Sequence, residues 1–168
     1  LEEIVERTAR HIGDVSLTTN GSMLAGRARR LRAAGLRRVN VSLDSLDPTA
    51  FRTIRGGALA PVLAGIDAAL DAGLTPVKIN TVVYRTTRPY LPSLIEYART
   101  RSGLSLQLIQ YMPEWVGRAD RGVPVEEVRE WLAAQATGIQ RREMHHRSVY
   151  RVGGIDVELV DPVNNPEF

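Results

Sequence analysis

Val39-Asn40-Val41-Ser42-Leu43-Asp44 alternates an aliphatic with a polar side chain at every step. Successive residues of a strand point to opposite faces, so Val39, Val41 and Leu43 share one face and Asn40, Ser42 and Asp44 the other. The same reading holds for three more runs. Val15-Ser16-Leu17-Thr18 puts Ser16 and Thr18 on its polar face, and Val77-Lys78-Ile79-Asn80 puts Lys78 and Asn80 there. Leu104-Ser105-Leu106-Gln107-Leu108 contributes Ser105 and Gln107. Segments of helical period separate the four runs, the pattern of βαβ units and a parallel sheet. Parallel sheets are covered on both faces, so a polar face open to water is disfavoured. No G-x-G-x-x-G follows any strand, which argues against a dinucleotide fold. The fold class expected is α/β, a sector of a TIM-type (β/α) barrel. A structural barrel interior is packed with branched aliphatics, so a polar one predicts a ligand-filled lumen.

The connecting elements follow from their end signals. Leu1, Ile4, Val5 and Thr8 have helical spacing, so the sequence opens inside a helix with no N-cap before it. Asn20-Gly21 marks a turn, and Ser22 is expected to cap a helix running to Ala34, with Gly35 closing it. Asp47-Pro48 is a cap followed by proline in the first helical turn. Gly56-Gly57 breaks that helix, and the next is expected over Leu59–Ala72. A strand over Pro76–Tyr84, a helix over Tyr90–Arg101 and the strand Leu104–Gln110 follow. Residues 111–122 read as a loop and 123–135 as an amphipathic helix. Val149–Val152 and Ile155–Val160, joined by Gly153-Gly154, form a β-hairpin.

The 168 residues are 43% hydrophobic, 24% charged and only 5% aromatic. That composition suits one globular domain and leaves no stacking platform for single-stranded nucleic acid. The formal charge of +3 comes from basic residues scattered among acids, so no nucleic-acid partner is expected. No apolar run is long enough to span a bilayer and no signal segment opens the chain, which predicts a cytoplasmic protein without a membrane partner. There is no cysteine, hence no disulfide, thiolate metal site or thiol nucleophile among these residues. His145-His146 are adjacent with no third ligand at useful spacing, so no metal ligand is assigned.

Of the 22 basic residues 21 are arginine, and the one lysine is Lys78, inside an apolar strand. An ammonium buried there needs a carboxylate, an anionic ligand or a carbonyl to condense with. Phosphate binding, Schiff-base chemistry and a structural pair with Asp44 are all open on the residues alone. In a barrel, Thr18, Asn20, Ser42, Asp44 and Met112 sit at the C-terminal ends of strands and ring the mouth.

The ordered set Leu17-Thr18-Thr19-Asn20-Gly21, Val39-Asn40-Val41-Ser42-Leu43-Asp44-Ser45-Leu46-Asp47, Ala64-Gly65-Ile66-Asp67-Ala68-Ala69, Pro76-Val77-Lys78-Ile79-Asn80-Thr81-Val82-Val83 and Tyr111-Met112-Pro113 resembles the GTP 3′,8-cyclase family of radical SAM enzymes. Asp161-Pro162-Val163-Asn164-Asn165-Pro166-Glu167-Phe168 resembles the family segment just before its C-terminal cluster cysteines. The resemblance implies a lyase of molybdenum cofactor biosynthesis. Its cofactors are S-adenosylmethionine and two [4Fe-4S] clusters, and its substrate is GTP. In the family a 5′-deoxyadenosyl radical takes hydrogen from the ribose, and C3′ is joined to guanine C8. Carried over by position, Thr18 and Lys78 match GTP-contacting residues, and Ser42 and Met112 match residues that contact S-adenosylmethionine. A homodimer, and a product passed to cyclic pyranopterin monophosphate synthase, are implied in the same way.

Two departures stand out. Gln107 and Gln110 replace an Arg and a Glu of better-known members. The C-x3-C-x2-C motif, the GGEP segment and the C-terminal cysteines are absent, and the resemblance places them before Leu1 and after Phe168. The chain is therefore expected to be an inactive central fragment, with no catalytic residue assigned within it. Residues 1–122 are read as the partial barrel and 123–168 as a helix and hairpin leading into the cluster region. Another radical SAM enzyme, a class I aldolase-type barrel using Lys78, and a cysteine-free nucleotide-binding paralogue are the alternatives.

Overall fold

The computed structural model describes residues 1–112, 121–142 and 147–162. The chain forms two compact units, Leu1–Ile79 and Asn80–Phe168. Helices and strands alternate through both. In order they are α1 (Glu2–Ala9), β1 (Val15–Thr19), α2 (Ala28–Ala33), β2 (Leu36–Ser42), α3 (Pro48–Arg55), α4 (Leu59–Asp71) and β3 (Val77–Val83). Then come α5 (Leu91–Arg99), β4 (Leu104–Gln110), α6 (Val125–Ala133), β5 (Ala136–Arg141), β6 (Ser148–Val152) and β7 (Ile155–Val160). No single helix among the described residues is long and apolar enough to cross a membrane. The expected loop over 111–122, His145-His146 and the ending 161–168 fall largely or wholly outside the described residues.

In the first unit β1 and β2 run parallel, with Leu17 opposite Val39, Thr18 opposite Asn40 and Thr19 opposite Val41. Val39, Val41 and Leu43 are fully buried, as the alternation predicts. The buried stripe of α4 is Leu59, Val62, Ile66 and Ala69, spaced by three and four residues to cover one helical face. Asp47 caps α3 through its carboxylate, which accepts from Ala50 N at 2.7 Å, and Gly56 ends that helix at φ 75°.

One expected helix is much shorter. Ser22 does not cap it. Asn20 Oδ1 accepts both Ser22 N at 3.1 Å and Ser22 Oγ at 2.9 Å, an Asx turn that engages the hydroxyl. The chain then passes through tight turns, such as Leu24 N to Gly21 O at 3.0 Å, before α2 begins at Ala28. Close backbone approach explains this course. A Cβ on Gly65 of α4 would lie 2.4 Å from Gly21 O, and one on Gly21, at φ +79°, would lie 2.8 Å from Val41 Cγ1.

In the second unit β4 pairs parallel with β7, β7 antiparallel with β6, and β6 antiparallel with β5. The β6–β7 hairpin turns at Gly153 and Gly154, at φ 58° and 88°, as a two-residue primed turn requires. Strand β5 is unforeseen in the sequence. Its six residues are almost all exposed, so they carry no alternating apolar signal. Leu106, Leu108, Val157, Leu159 and Tyr150 form one buried face of this sheet. Helices α5 and α6 bury Leu91, Leu94 and Ala98, and Val125, Val128 and Leu132.

Two stability measurements follow. Gly65→Ala places a methyl against the Gly21 carbonyl and should lower the unfolding free energy by about 1–3 kcal/mol in denaturant titration; an unchanged midpoint contradicts the close approach. Asp47→Ala removes the α3 cap and should cost about 0.5–2 kcal/mol, with Asp47→Asn retaining most of the stability.

Candidate functional site: the polar strand faces

Within the first unit the polar faces carry Thr18, Asn40, Ser42 and Lys78. The β1–β2 register sets Thr18 beside Asn40, and Asn40 Nδ2 donates to Thr18 Oγ1 at 3.4 Å. Ser42 lies two residues further along β2 on the same face, half-buried. Lys78 is half-buried rather than enclosed as the sequence suggested, between the fully buried Val77 and Ile79. Its long stem can lie along apolar neighbours while the ammonium reaches a wetter position.

Two residues expected at the mouth also make local contacts. Asn20 is engaged in the Asx turn with Ser22. Asp44 is buried at 2% exposure, with Arg55 Nε 2.6 Å from its Oδ2. A buried carboxylate without a cation would be strongly disfavoured, so this pair ties the end of β2 to the last turn of α3. Ser45 Oγ accepts from Asp47 N at 3.0 Å and tightens the same loop. Met112 belongs to the second unit, just beyond β4, and is half-buried.

The polar face of the second unit holds a group that the sequence reading missed. Gln107 of β4 pairs in register with Glu158 of β7, and its Nε2 donates to Glu158 Oε2 at 2.7 Å, with both residues buried. Arg147 Nη1 and Arg142 Nη1 stand 3.5 and 3.8 Å from Glu158 Oε1. A signal existed in Val157-Glu158-Leu159-Val160, where one acid interrupts an aliphatic run. Reading that run as hairpin alone hid it.

The buried polar atoms of this unit without a hydrogen-bond partner include Asn80 Oδ1, Ser105 Oγ, Gln110 Oε1 and the Tyr111 hydroxyl. The Tyr111 ring packs on Tyr84 with centroids 5.7 Å apart. Each such atom costs roughly 1–3 kcal/mol unless water or a ligand satisfies it. Several together on strands β3 and β4 suit a polar organic ligand. An iron–sulfur cluster is a different matter. The chain has no cysteine, and no group of three or more metal-ligating side chains occurs among the described residues. These residues do not fit a cluster, and none of them is assigned to one.

Comparison with known proteins agrees with the sequence resemblance. The profile of the radical SAM superfamily matches residues 1–98. A protein of Halobacterium salinarum named "Probable GTP 3′,8-cyclase" is 43% identical over 100% of this chain and 54% of its own length. Proteins of the same name from Methanococcus maripaludis and Methanosarcina mazei are each 40% identical, over 94% and 92% of this chain and 53% and 48% of their own lengths. The chain thus spans about half the length of the curated relatives it matches. With the superfamily profile covering more than half of the residues and the strand-end residues falling within it, the chain belongs to the radical SAM superfamily.

Proposed function

We propose that this chain is the nucleotide- and S-adenosylmethionine-binding part of a GTP 3′,8-cyclase. That enzyme converts GTP to (8S)-3′,8-cyclo-7,8-dihydroguanosine 5′-triphosphate in molybdopterin biosynthesis. The observation that carries the reading is the placement of Thr18, Ser42 and Lys78 on polar strand faces, in a sequence alike over its whole length to proteins bearing that name. S-adenosylmethionine, when bound, supplies the radical chemistry. The chain's own part is to bind and orient.

Lys78, as a compact point charge, binds the triphosphate. The Thr18 hydroxyl already accepts from Asn40, which leaves its own O–H to donate to GTP. Ser42 at the end of β2 and Met112 beyond β4 contact S-adenosylmethionine, the first by hydrogen bond and the second through its polarisable thioether. Asp44 with Arg55 keeps the Ser42 strand end in place. In this proposal residues 1–122 form part of a TIM-type barrel, and residues 123–168 lead toward a C-terminal cluster region. Two clusters take their thiolates from residues other than these 168. The whole protein works in the cytoplasm as a homodimer and hands its product to cyclic pyranopterin monophosphate synthase.

In the full-length protein, Lys78→Met should weaken GTP binding by about 1.5–3 kcal/mol while leaving S-adenosylmethionine binding unchanged. Calorimetric titration checks this, and an equal loss for both ligands, or none for GTP, rejects the triphosphate role. The 168-residue chain expressed alone should give no cluster absorption in the visible after anaerobic treatment with iron and sulfide, and no turnover of GTP. A reconstituted [4Fe-4S] spectrum from that chain overturns the assignment of the cluster ligands to other residues.

A further inference from the structure

The turn between β3 and α5 is built around one buried hydroxyl. Thr87 is fully buried, and its Oγ1 accepts from Tyr84 N at 3.0 Å and donates to Val82 O at 2.6 Å. Tyr84 O in turn accepts from Thr87 N and from Arg88 N, each at 2.9 Å. A threonine side chain that bonds to nearby backbone in this way fastens a tight turn. The backbone of Tyr84 is thereby held at both its N–H and its carbonyl.

From that turn three contacts reach the connection that follows β4, all of them within the second unit. The Tyr84 ring packs on Tyr111 with centroids 5.7 Å apart and planes tilted by 43°, in the range where aromatic pairs attract. Arg85 N donates to Arg121 O at 2.9 Å. The Arg88 guanidinium lies 4.4 Å from the centroid of the Trp131 ring, with Nε 3.6 Å from Glu127 Oε1, and both partners belong to α6. The one turn thus holds the start of the β4–α6 connection at Tyr111, its far end at Arg121 and the helix beyond. Met112 follows Tyr111 directly, so a single peptide unit separates it from the ring contact.

We propose that Tyr84 is the positioning residue for Met112, its ring holding the chain just past β4 so that the Met112 side chain is set before S-adenosylmethionine arrives. The proposal rests on the reading of Met112 as a contact to S-adenosylmethionine, and it gives a part to a residue which that reading leaves out. A side chain whose backbone is already anchored loses less freedom when a ligand meets it, so the ring raises affinity by acting through Met112.

The test uses the full-length protein and calorimetric titration with S-adenosylmethionine and with GTP. Tyr84→Ala, and Tyr84→Leu, which keeps apolar bulk without a ring, should weaken S-adenosylmethionine binding by about three- to tenfold, the size of one aromatic pair. Tyr84→Phe keeps the ring and should stay within about twofold of wild type, as should GTP binding in all three variants. Met112→Ala should weaken S-adenosylmethionine binding as well, and adding Tyr84→Leu to it should bring no further loss. Thermal melts show whether each variant is folded, and if Tyr84→Ala is not, Tyr84→Leu decides. Losses that multiply in the double variant reject the proposal. So does an equal loss for both ligands with a lowered melting temperature, which leaves Tyr84 a structural residue. A loss in Tyr84→Phe as large as in Tyr84→Leu assigns the effect to the hydroxyl and rejects the ring contact. Wild-type affinity in Tyr84→Leu beside a weakened Met112→Ala rejects the positioning role and leaves the Met112 contact standing. Wild-type affinity in Met112→Ala overturns the Met112 reading, and the positioning role with it.

Discussion

Leu36, Val39, Val41 and Leu43 are all fully buried, and taking that row out of water is what makes β2 a sheet strand. Each such side chain contributes about 1.5–3 kcal/mol when fully desolvated. The 3.4 Å contact between Asn40 and Thr18 on the other face contributes about 1 kcal/mol at most. Apolar burial therefore sets which way the strand faces, and the polar side chains take the remaining side by geometry. The same balance operates in β4, where Leu106 and Leu108 are fully buried and Ser105 and Gln107 are left opposite them. The candidate binding residues are thus consequences of core packing before they are anything else.

Two buried carboxylates show how charge is handled within that scheme. Asp44 meets Arg55 at 2.6 Å, and the pair joins a strand end to a helix end over a short loop. Glu158 meets Gln107, Arg142 and Arg147, and so joins β4 to the neck of the β5–β6 hairpin. Burying either charge is unfavourable in itself, and close cations and amide donors offset the loss of water. Asp44 acts just beyond the end of β2, and Glu158, within β7, reaches Arg142 and Arg147 beside the ends of β5 and β6, where loops must be fixed if strand-end side chains are to hold a ligand. Rigid support of this kind is what separates a binding residue from one that is merely nearby.

Backbone proximity adds a second constraint. Gly65 brings α4 against the Gly21 carbonyl, and Gly21 in turn sits on Val41. The turn after β1 is therefore locked to β2 and α4 together. Thr18 and Ser42, two strand ends with separate sequence contexts, inherit a common frame from these contacts. The relatives share this stretch of chain within proteins about twice as long.

Much of this was legible in the residues themselves. The period-two alternation in β2, β3 and β4, the Asp47 cap and the Gly153-Gly154 turn all report short-range physics, in which neighbours along the chain decide the outcome. Thr18, Ser42 and Lys78 could be placed on polar faces from that period alone. What the sequence could not disclose depended on distant partners. Ser22 is a good cap by type, yet Asn20 claims its hydroxyl. Strand β5 is exposed along nearly all its length, so it forms through its ladder with β6 rather than through any pattern of its own. Gln107 and Glu158 lie 51 positions apart in sequence, and only the parallel pairing of β4 with β7 makes them one group. Local periodicity determined the faces; long-range strand register decided which charges meet upon them.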